Sequence, residues 1–126
     1  ALLALVDDIG VLFQTLDDYL NVSSAAYHKN KSFCADITEG KFSYPVIHCL
    51  QEQARCGEKT LLHILRQRPT DDEVKRYCVE MMRKSGSLDA CKARSLEVQA
   101  SVQQRIAALG DGEMLLVCIE RMMALM

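Results

Sequence analysis

The chain has 126 residues, 49% hydrophobic and 25% charged, with a net charge of −2, which suits one ordinary domain or a piece of a larger one. These proportions exclude wholesale disorder, and the absence of a basic excess argues against a nucleic-acid module. No apolar run approaches the ~18 residues needed to span a bilayer.

The opening Ala1-Leu2-Leu3-Ala4-Leu5-Val6 is apolar but stops at Asp7-Asp8. It has no basic flank and no clean cleavage site, so it does not read as a signal peptide. It reads as the middle of a helix, with residues expected upstream. Leu5, Ile9, Leu12, Leu16 and Leu20 recur at spacings of three and four, which predicts one helix over residues 1–22. Residues 23–43 are polar and aperiodic, a long connection of the kind that is usually functional or disordered. Pro45 is placed to start the next helix, which carries Val46, Ile47, Cys49 and Leu50 and ends at Gly57. A short helix follows over about 59–67, broken by Pro69. Thr70-Asp71-Asp72-Glu73 reads as a capping box with Thr70 as N-cap, ahead of a face made by Val74, Tyr77, Cys78, Met81 and Met82. Gly86 closes that helix. Ser87 is expected to cap the next, whose seam of Leu88, Cys91, Val98, Val102, Ile106 and Leu109 runs to Gly110. A last helix presents Leu115, Cys118, Ile119, Met122 and Met126. Strand signals are nearly absent, so the fold class is all-α.

The six cysteines, at 34, 49, 56, 78, 91 and 118, show no Cys-x-x-Cys pair and no zinc spacing. Most fall on helix faces and read as reduced, buried small hydrophobes, in keeping with a cytoplasmic protein. His28 reads as exposed, and His48 and His63 as structural. The methionines at 81, 82, 122, 123 and 126 read as core filler.

Gln14, Asp17, Asp18 and Asn21 are separated by three and four, so helical geometry groups them within about one turn. Two adjacent carboxylates flanked by amides form a hard-oxygen platform of the kind Mg²⁺ takes, with one or two carboxylates plus substrate phosphates. A solvated acidic face ending a surface helix is the other reading of the same spacing. Asp7-Asp8 lacks the flanking amides and reads as solvated. In the following loop, Lys31 and Lys41 stand among aromatic and small residues. Lysine binds phosphate as a point charge, so carboxylates with metal followed by lysines suit a diphosphate.

The string Phe13-Gln14-x-x-Asp17-Asp18-Tyr19-Leu20-Asn21, followed by Asn30-Lys31-Ser32-Phe33-Cys34-x-Asp36-Ile37-Thr38-Glu39-Gly40-Lys41-Phe42-Ser43-Tyr44-Pro45, resembles the second aspartate-rich region of trans-isoprenyl diphosphate synthases, closest to eukaryotic geranylgeranyl diphosphate synthase. The resemblance is strong over 11–50. It continues more loosely through Ile64-Leu65-Arg66-Gln67-Arg68, Lys75-Arg76-Tyr77-Cys78 and Gly86-Ser87. It implies that residues 1–126 are the C-terminal portion of one prenyltransferase domain: second aspartate-rich motif 14–21, lysine loop 27–45 and C-terminal helices 45–126, in a helical bundle around a central cavity.

The resemblance further implies Mg²⁺-dependent, head-to-tail condensation of isopentenyl diphosphate with an allylic diphosphate, giving geranylgeranyl diphosphate. It assigns metal binding to Asp17 and Asp18, the allylic diphosphate to Gln14, Asn21, Lys31 and Lys41, and the cavity wall to Phe13. Asp36 and Thr38 are expected to order the loop. Asp17, Asp18 and Lys41 then carry the chemistry. The first aspartate-rich motif and the basic residues for isopentenyl diphosphate are not among these residues, so residues 1–126 alone are expected to be inactive. Leu16 stands where the family often has an arginine, and Ala90-Cys91 where it often has an aromatic. A homo-oligomer is the usual family state, and fusion to a terpene cyclase domain is open. The rival reading is a non-catalytic subunit that binds and modulates a complete synthase. A terpene cyclase fits poorly, because the Lys31–Lys41 block matches chain elongation.

Overall fold

The computed structural model describes residues 2–23, 34–110 and 112–126. Among them there are seven helices and no strand: α1 (Leu2–Ser23), α2 (Ala35–Thr38), α3 (Tyr44–Arg55), α4 (Thr60–Arg66), α5 (Asp72–Lys84), α6 (Ser87–Leu109) and α7 (Glu113–Met123). The all-α expectation holds, and no helix is long and apolar enough to cross a membrane. Residues 27–33 of the lysine loop, with Tyr27, His28 and Lys31, lie outside the described residues.

The two longest helices form the frame. α1, at 22 residues, is about 33 Å long and runs antiparallel to α6. Asp8 near its start accepts hydrogen bonds from Ser101 Oγ and Arg105 Nε, each at 2.9 Å. One to two turns later the Thr15 carbonyl receives the Cys91 thiol at 3.6 Å. Asp8 is therefore not the solvated residue the sequence suggested: it clamps α1 to α6. Leu5 and Leu12 from α1, Val98, Val102 and Ile106 from α6, and Ile119 from α7 form one apolar cluster.

A second cluster lies at the other end of α1. It joins Val22 to Cys34 and Ile37 around α2, Val46 and Cys49 of α3, Leu61 and Leu65 of α4, and Cys78 and Met82 of α5. Gln53 supports this end: its Oε1 accepts the Leu61 N–H at 3.0 Å, and its amide nitrogen donates to Met81 Sδ at 3.3 Å. The first contact supplies an acceptor for the open first turn of α4, which lacks a side-chain cap of its own. His48 Nδ1 and Ser85 Oγ both lie 2.8 Å from Ser87 Oγ, which gives His48 the structural setting expected of it.

Helix starts differ from the sequence expectation by single residues. α3 begins at Tyr44, one residue before Pro45. The N-cap of α5 is Asp71, whose carboxylate accepts the Glu73 N–H at 2.8 Å, so Thr70 is not the cap. Gly86, at φ 75°, occupies the N-cap of α6, and Ser87 is already helical. The inward face of α5 is Lys75, Cys78 and Met82, rotated by about one residue from the predicted stripe, and Tyr77 is exposed. Lys75 reaches this face because a lysine stem is itself apolar. All six cysteines are free; Cys34, Cys49, Cys78 and Cys91 are buried as expected, whereas Cys56 and Cys118 are exposed. Burial pushes the thiols of Cys34 and Cys78 up to about 11 and that of Cys91 up to about 12, so none of the three is a ready thiolate at neutral pH.

The α5 cap yields a direct test. Asp71→Ala should cost about 1 kcal/mol of unfolding free energy, whereas Thr70→Ala should stay within about 0.5 kcal/mol, as at an exposed site without special contacts. Urea titrations of the two variants distinguish the capping residue.

Candidate functional site

The C-terminal half of α1 carries the polar residues singled out by spacing. Successive helix residues are about 100° apart around the axis, and this separates Asp17 from Asp18. Asp18 turns inward and is 5% exposed. Its Oδ1 accepts from Gln14 Nε2 at 2.8 Å, one turn earlier, and from Lys41 Nζ at 3.2 Å. Its Oδ2 accepts from the Tyr44 backbone N–H at 3.0 Å. Tyr44 opens α3, and its amide is one of the unsatisfied donors every helix start presents. A carboxylate there also meets the positive end of the helix dipole. Asp18 thus caps α3 from a different helix, while Ser43 at the N-cap position makes no side-chain cap.

Asn21, 1% exposed, continues the same inward line. Its Oδ1 accepts the Asp36 N–H at 3.3 Å. The Asp36 carbonyl in turn accepts the Lys41 N–H at 2.9 Å. Thr38 Oγ1 donates to the Pro69 carbonyl at 2.7 Å. Asp36 and Thr38 therefore order the loop as anticipated, Asp36 chiefly through its backbone. Gly40, at φ 67°, is needed at the turn into Lys41: a Cβ there would be strained by the backbone and would stand 3.4 Å from the Leu65 carbonyl.

Lys41 lies between two carboxylates. Its ammonium is 3.2 Å from Asp18 Oδ1 and 3.7 Å from Asp36 Oδ2, and its side chain remains 37% exposed. Burial pulls the ammonium's pKa down, but the Asp18 hydrogen bond and the charges of Asp18, Asp36 and Asp17 outweigh it, leaving Lys41 above the ordinary lysine value. The stabilisation from this shift is fully present below the unfolded lysine pKa and is lost as pH rises through the higher folded value. Lys41 is cationic throughout the neutral range. Asp36 is shifted upward, first by burial and then by the charges of Asp18, Asp17 and Glu39, with Lys41 opposing. Its Oδ2 is buried without a hydrogen-bond partner among the described residues.

Asp17 faces elsewhere. With Phe13, Leu16, Leu20, Met122 and Leu125 it lines a largely apolar groove of about 190 Å³. Phe13 is 60% exposed there. Hollows of about 350 Å³ at Glu52, Met81 and Lys84, and of about 320 Å³ at Phe42, Arg66 and Arg68, lie away from the Asp18 carboxylate. Among the described residues no group of three or more His, Cys, Asp or Glu is arranged around a common metal position. Spacing thus singled out Gln14, Asp18 and Asn21, and the loop composition Lys41; the fold joins them through Asp18 and the Asp36 backbone. Spacing also grouped Asp17 with them, although Asp17 opens on the groove. It missed the Tyr44 amide, which belongs to the backbone and has no residue-type signature; Pro45, marking a helix start, was the available hint.

Residues 1–82 match the family described as Polyprenyl synthetase. Among similar proteins, a geranylgeranyl pyrophosphate synthase of Claviceps paspali (idtG) is 47% identical over 109 residues, covering 86% of this chain and 32% of the relative. Geranylgeranyl pyrophosphate synthase 1 of Zymoseptoria tritici is 43% identical over 122 residues, 94% of this chain and 35% of the relative. A geranylgeranyl pyrophosphate synthase of Mucor circinelloides f. lusitanicus is 41% identical over 116 residues, 92% of this chain and 38% of the relative. The chain spans about a third of the length of these relatives. The family match covers the frame helix, the Asp18–Lys41 loop and the helices packed behind it, and on that ground the chain belongs to the polyprenyl synthetase family.

Proposed function

We propose that this chain is the C-terminal portion of a Mg²⁺-dependent trans-prenyltransferase that condenses isopentenyl diphosphate with an allylic diphosphate to give geranylgeranyl diphosphate. Beyond the names of its relatives, the observation that carries this reading is a permanently charged ammonium, Lys41, fixed by Asp18 and Asp36 yet over a third exposed. Such a group is placed to bind an anion and does not merely neutralise its carboxylates. The apolar groove beside Asp17 supplies a setting for a hydrocarbon chain.

The residues fit a divalent cation in one respect that is visible. The charges of Asp18 and Asp17 act on Asp36, with Lys41 the opposing charge, and the buried Asp36 Oδ2 lacks a hydrogen bond among the described residues. A cluster with surplus negative charge suits a cation that also binds substrate phosphates. Asp17, half-buried at the edge of the groove, is the carboxylate that would hold it. Mg²⁺ bound there would draw negative charge from the departing diphosphate.

The chain's own groups do the rest. Lys41, held as a cation, donates N–H groups to diphosphate oxygens where charge grows as the allylic C–O bond breaks. The Gln14 amide is one turn from Asp18 and, exposed at the surface of α1, adds a polar contact. Lys31 is assigned to the same diphosphate by its place in the motif. Phe13, Leu16 and Leu20 shield the allylic cation from water until the double bond of isopentenyl diphosphate attacks it and a proton is lost.

Two outcomes test this reading. In the full chain, Lys41→Ala should lower kcat/KM by ~10²–10³, the usual loss for one such electrostatic contact, and raised Mg²⁺ should not restore it. Asp17→Asn should raise the Mg²⁺ needed for half-maximal rate and be partly relieved by excess Mg²⁺. Steady-state kinetics across a Mg²⁺ series reads both, and wild-type rates in the two variants would remove the assignment. Separately, residues 1–126 expressed alone should form no product from isopentenyl and allylic diphosphates, because the first aspartate-rich motif is not among them. Robust turnover by that piece would overturn the proposal.

A further inference from the structure

Asp18 and Asp17 are neighbours with opposite surroundings. Asp17 is half-buried on an apolar groove. Asp18 is 5% exposed, and both of its oxygens are occupied by protein donors. We propose that Asp18 is a positioning residue, which holds Lys41 and the start of α3 in the geometry that receives a diphosphate, and that it does not bind the metal itself. This rests on the prenyltransferase reading above.

The donor set carries the inference. Oδ1 receives Gln14 Nε2 at 2.8 Å and Lys41 Nζ at 3.2 Å; Oδ2 receives the Tyr44 N–H at 3.0 Å. A Mg²⁺–oxygen contact is about 2.0–2.1 Å with near-octahedral demands. Turning either oxygen toward an ion would draw it from the Tyr44 amide or from the Gln14 amide and the Lys41 ammonium, forfeiting charge-assisted hydrogen bonds. Asp36 Oδ2 accepts no hydrogen bond among the described residues and faces the Lys41 ammonium at 3.7 Å.

The other half is what Lys41 needs. Its backbone is fixed by the Lys41 N–H to Asp36 carbonyl bond at 2.9 Å and by the left-handed turn at Gly40, φ 67°. Its stem is unbranched and free to sample many rotamers. The Asp18 oxygen selects one of them. A lysine ammonium has three donors, so those not held by Asp18 remain for an incoming phosphate. The Tyr44 N–H does the matching job for Asp18, locking the carboxylate so that its other oxygen faces Lys41.

The two roles predict opposite signs in one measurement: binding of inorganic diphosphate to the full chain in the presence of a chelator. With no metal, a carboxylate that served only as a metal ligand is a negative charge near an anion, and neutralising it should leave diphosphate affinity unchanged or improve it. If Asp18 positions Lys41, Asp18→Asn should weaken metal-free binding about as much as Lys41→Met does. Asparagine has a single acceptor oxygen for these two directions, so its NH2 meets either the Lys41 ammonium or the Tyr44 N–H, and the charge that holds the ammonium is lost. Asp17→Asn serves as the control and should not weaken it. Adding Asp18→Asn to Lys41→Met should cause no further loss, because residues acting through one another are not additive. In steady-state assays Asp18→Asn should raise KM for the allylic diphosphate without moving the half-saturating Mg²⁺.

Tyr44→Pro tests the same role without changing charge. The extended backbone of Ser43, at ψ 168°, is compatible with a following proline, and the change removes the N–H that locks Asp18. It should weaken metal-free diphosphate binding too, and it stands in for Asp18→Asn if that variant fails to fold. Equal or tighter metal-free binding by Asp18→Asn, or recovery of its activity by excess Mg²⁺ in parallel with Asp17→Asn, would overturn the inference and leave the prenyltransferase reading intact. No diphosphate binding by the wild-type chain with or without Mg²⁺, together with an unaffected Lys41→Met, would overturn that reading and this inference with it.

Discussion

A carboxylate taken out of water is tolerated when donors replace the water, and the Asp18 carboxylate sets most of the local architecture because its donors come from separate places. One is a side chain on its own helix, one an ammonium 23 positions along the chain, and one the first amide of α3. Removing α3 or the loop would strand a buried charge; removing Asp18 would strand a helix start and an ammonium. Asp18 is thus a polar junction between the frame of α1 and α6 and the cluster of α2 to α5, beside the packing of α3 and α5 on α6. The apolar contacts of Val22, Cys34 and Ile37 close around this point from the other side.

Much of the fold was legible because helices announce themselves by period. The stripe Leu5, Leu12, Leu16 and Leu20 is buried where it was expected, and Gly57, Pro69, Gly86 and Gly110 mark real breaks between helices. The misses share a cause. Whether Thr70 or Asp71 caps α5 depends on which side chain reaches the Glu73 N–H, and adjacent residues in the extended backbone before a helix point in different directions. The face of α5 was displaced by one residue because Lys75 buries a stem that hydropathy counts as charged. Asp8 seemed solvated because its partners, Ser101 and Arg105, are more than ninety positions away, where no local spacing rule operates.

The site was legible in composition and less so in direction. Spacing brings Gln14, Asp17, Asp18 and Asn21 to one end of one helix, but an angle of about 100° per residue is enough to send one carboxylate into the protein and its neighbour onto an apolar groove. Sequence also gave no sign that Asp36 would set a buried oxygen beside the Lys41 ammonium without a hydrogen bond, since that depends on where the α2 turn sets the side chain relative to Lys41. Family membership rests on the match over residues 1–82 and on the relatives; the chemistry of each carboxylate rests on orientation.

The cysteines have a consequence for how this region can be watched. Cys34 stands at the entrance to α2, two residues before Asp36, fully buried with its thiol pushed up to about 11; Cys78 sits in the same apolar cluster. Cys56 and Cys118 are open to solvent. A thiol reagent will therefore meet two classes of sulfur: a fast pair at the surface, and a slow set that reacts only when the packing around it opens. With Cys56 and Cys118 replaced by serine, and the label at Cys34 separated from that at Cys49, Cys78 and Cys91 by peptide mapping, the slow labelling rate at Cys34 becomes a native clock for opening of the segment that leads to Lys41, read without substrate, metal or catalysis.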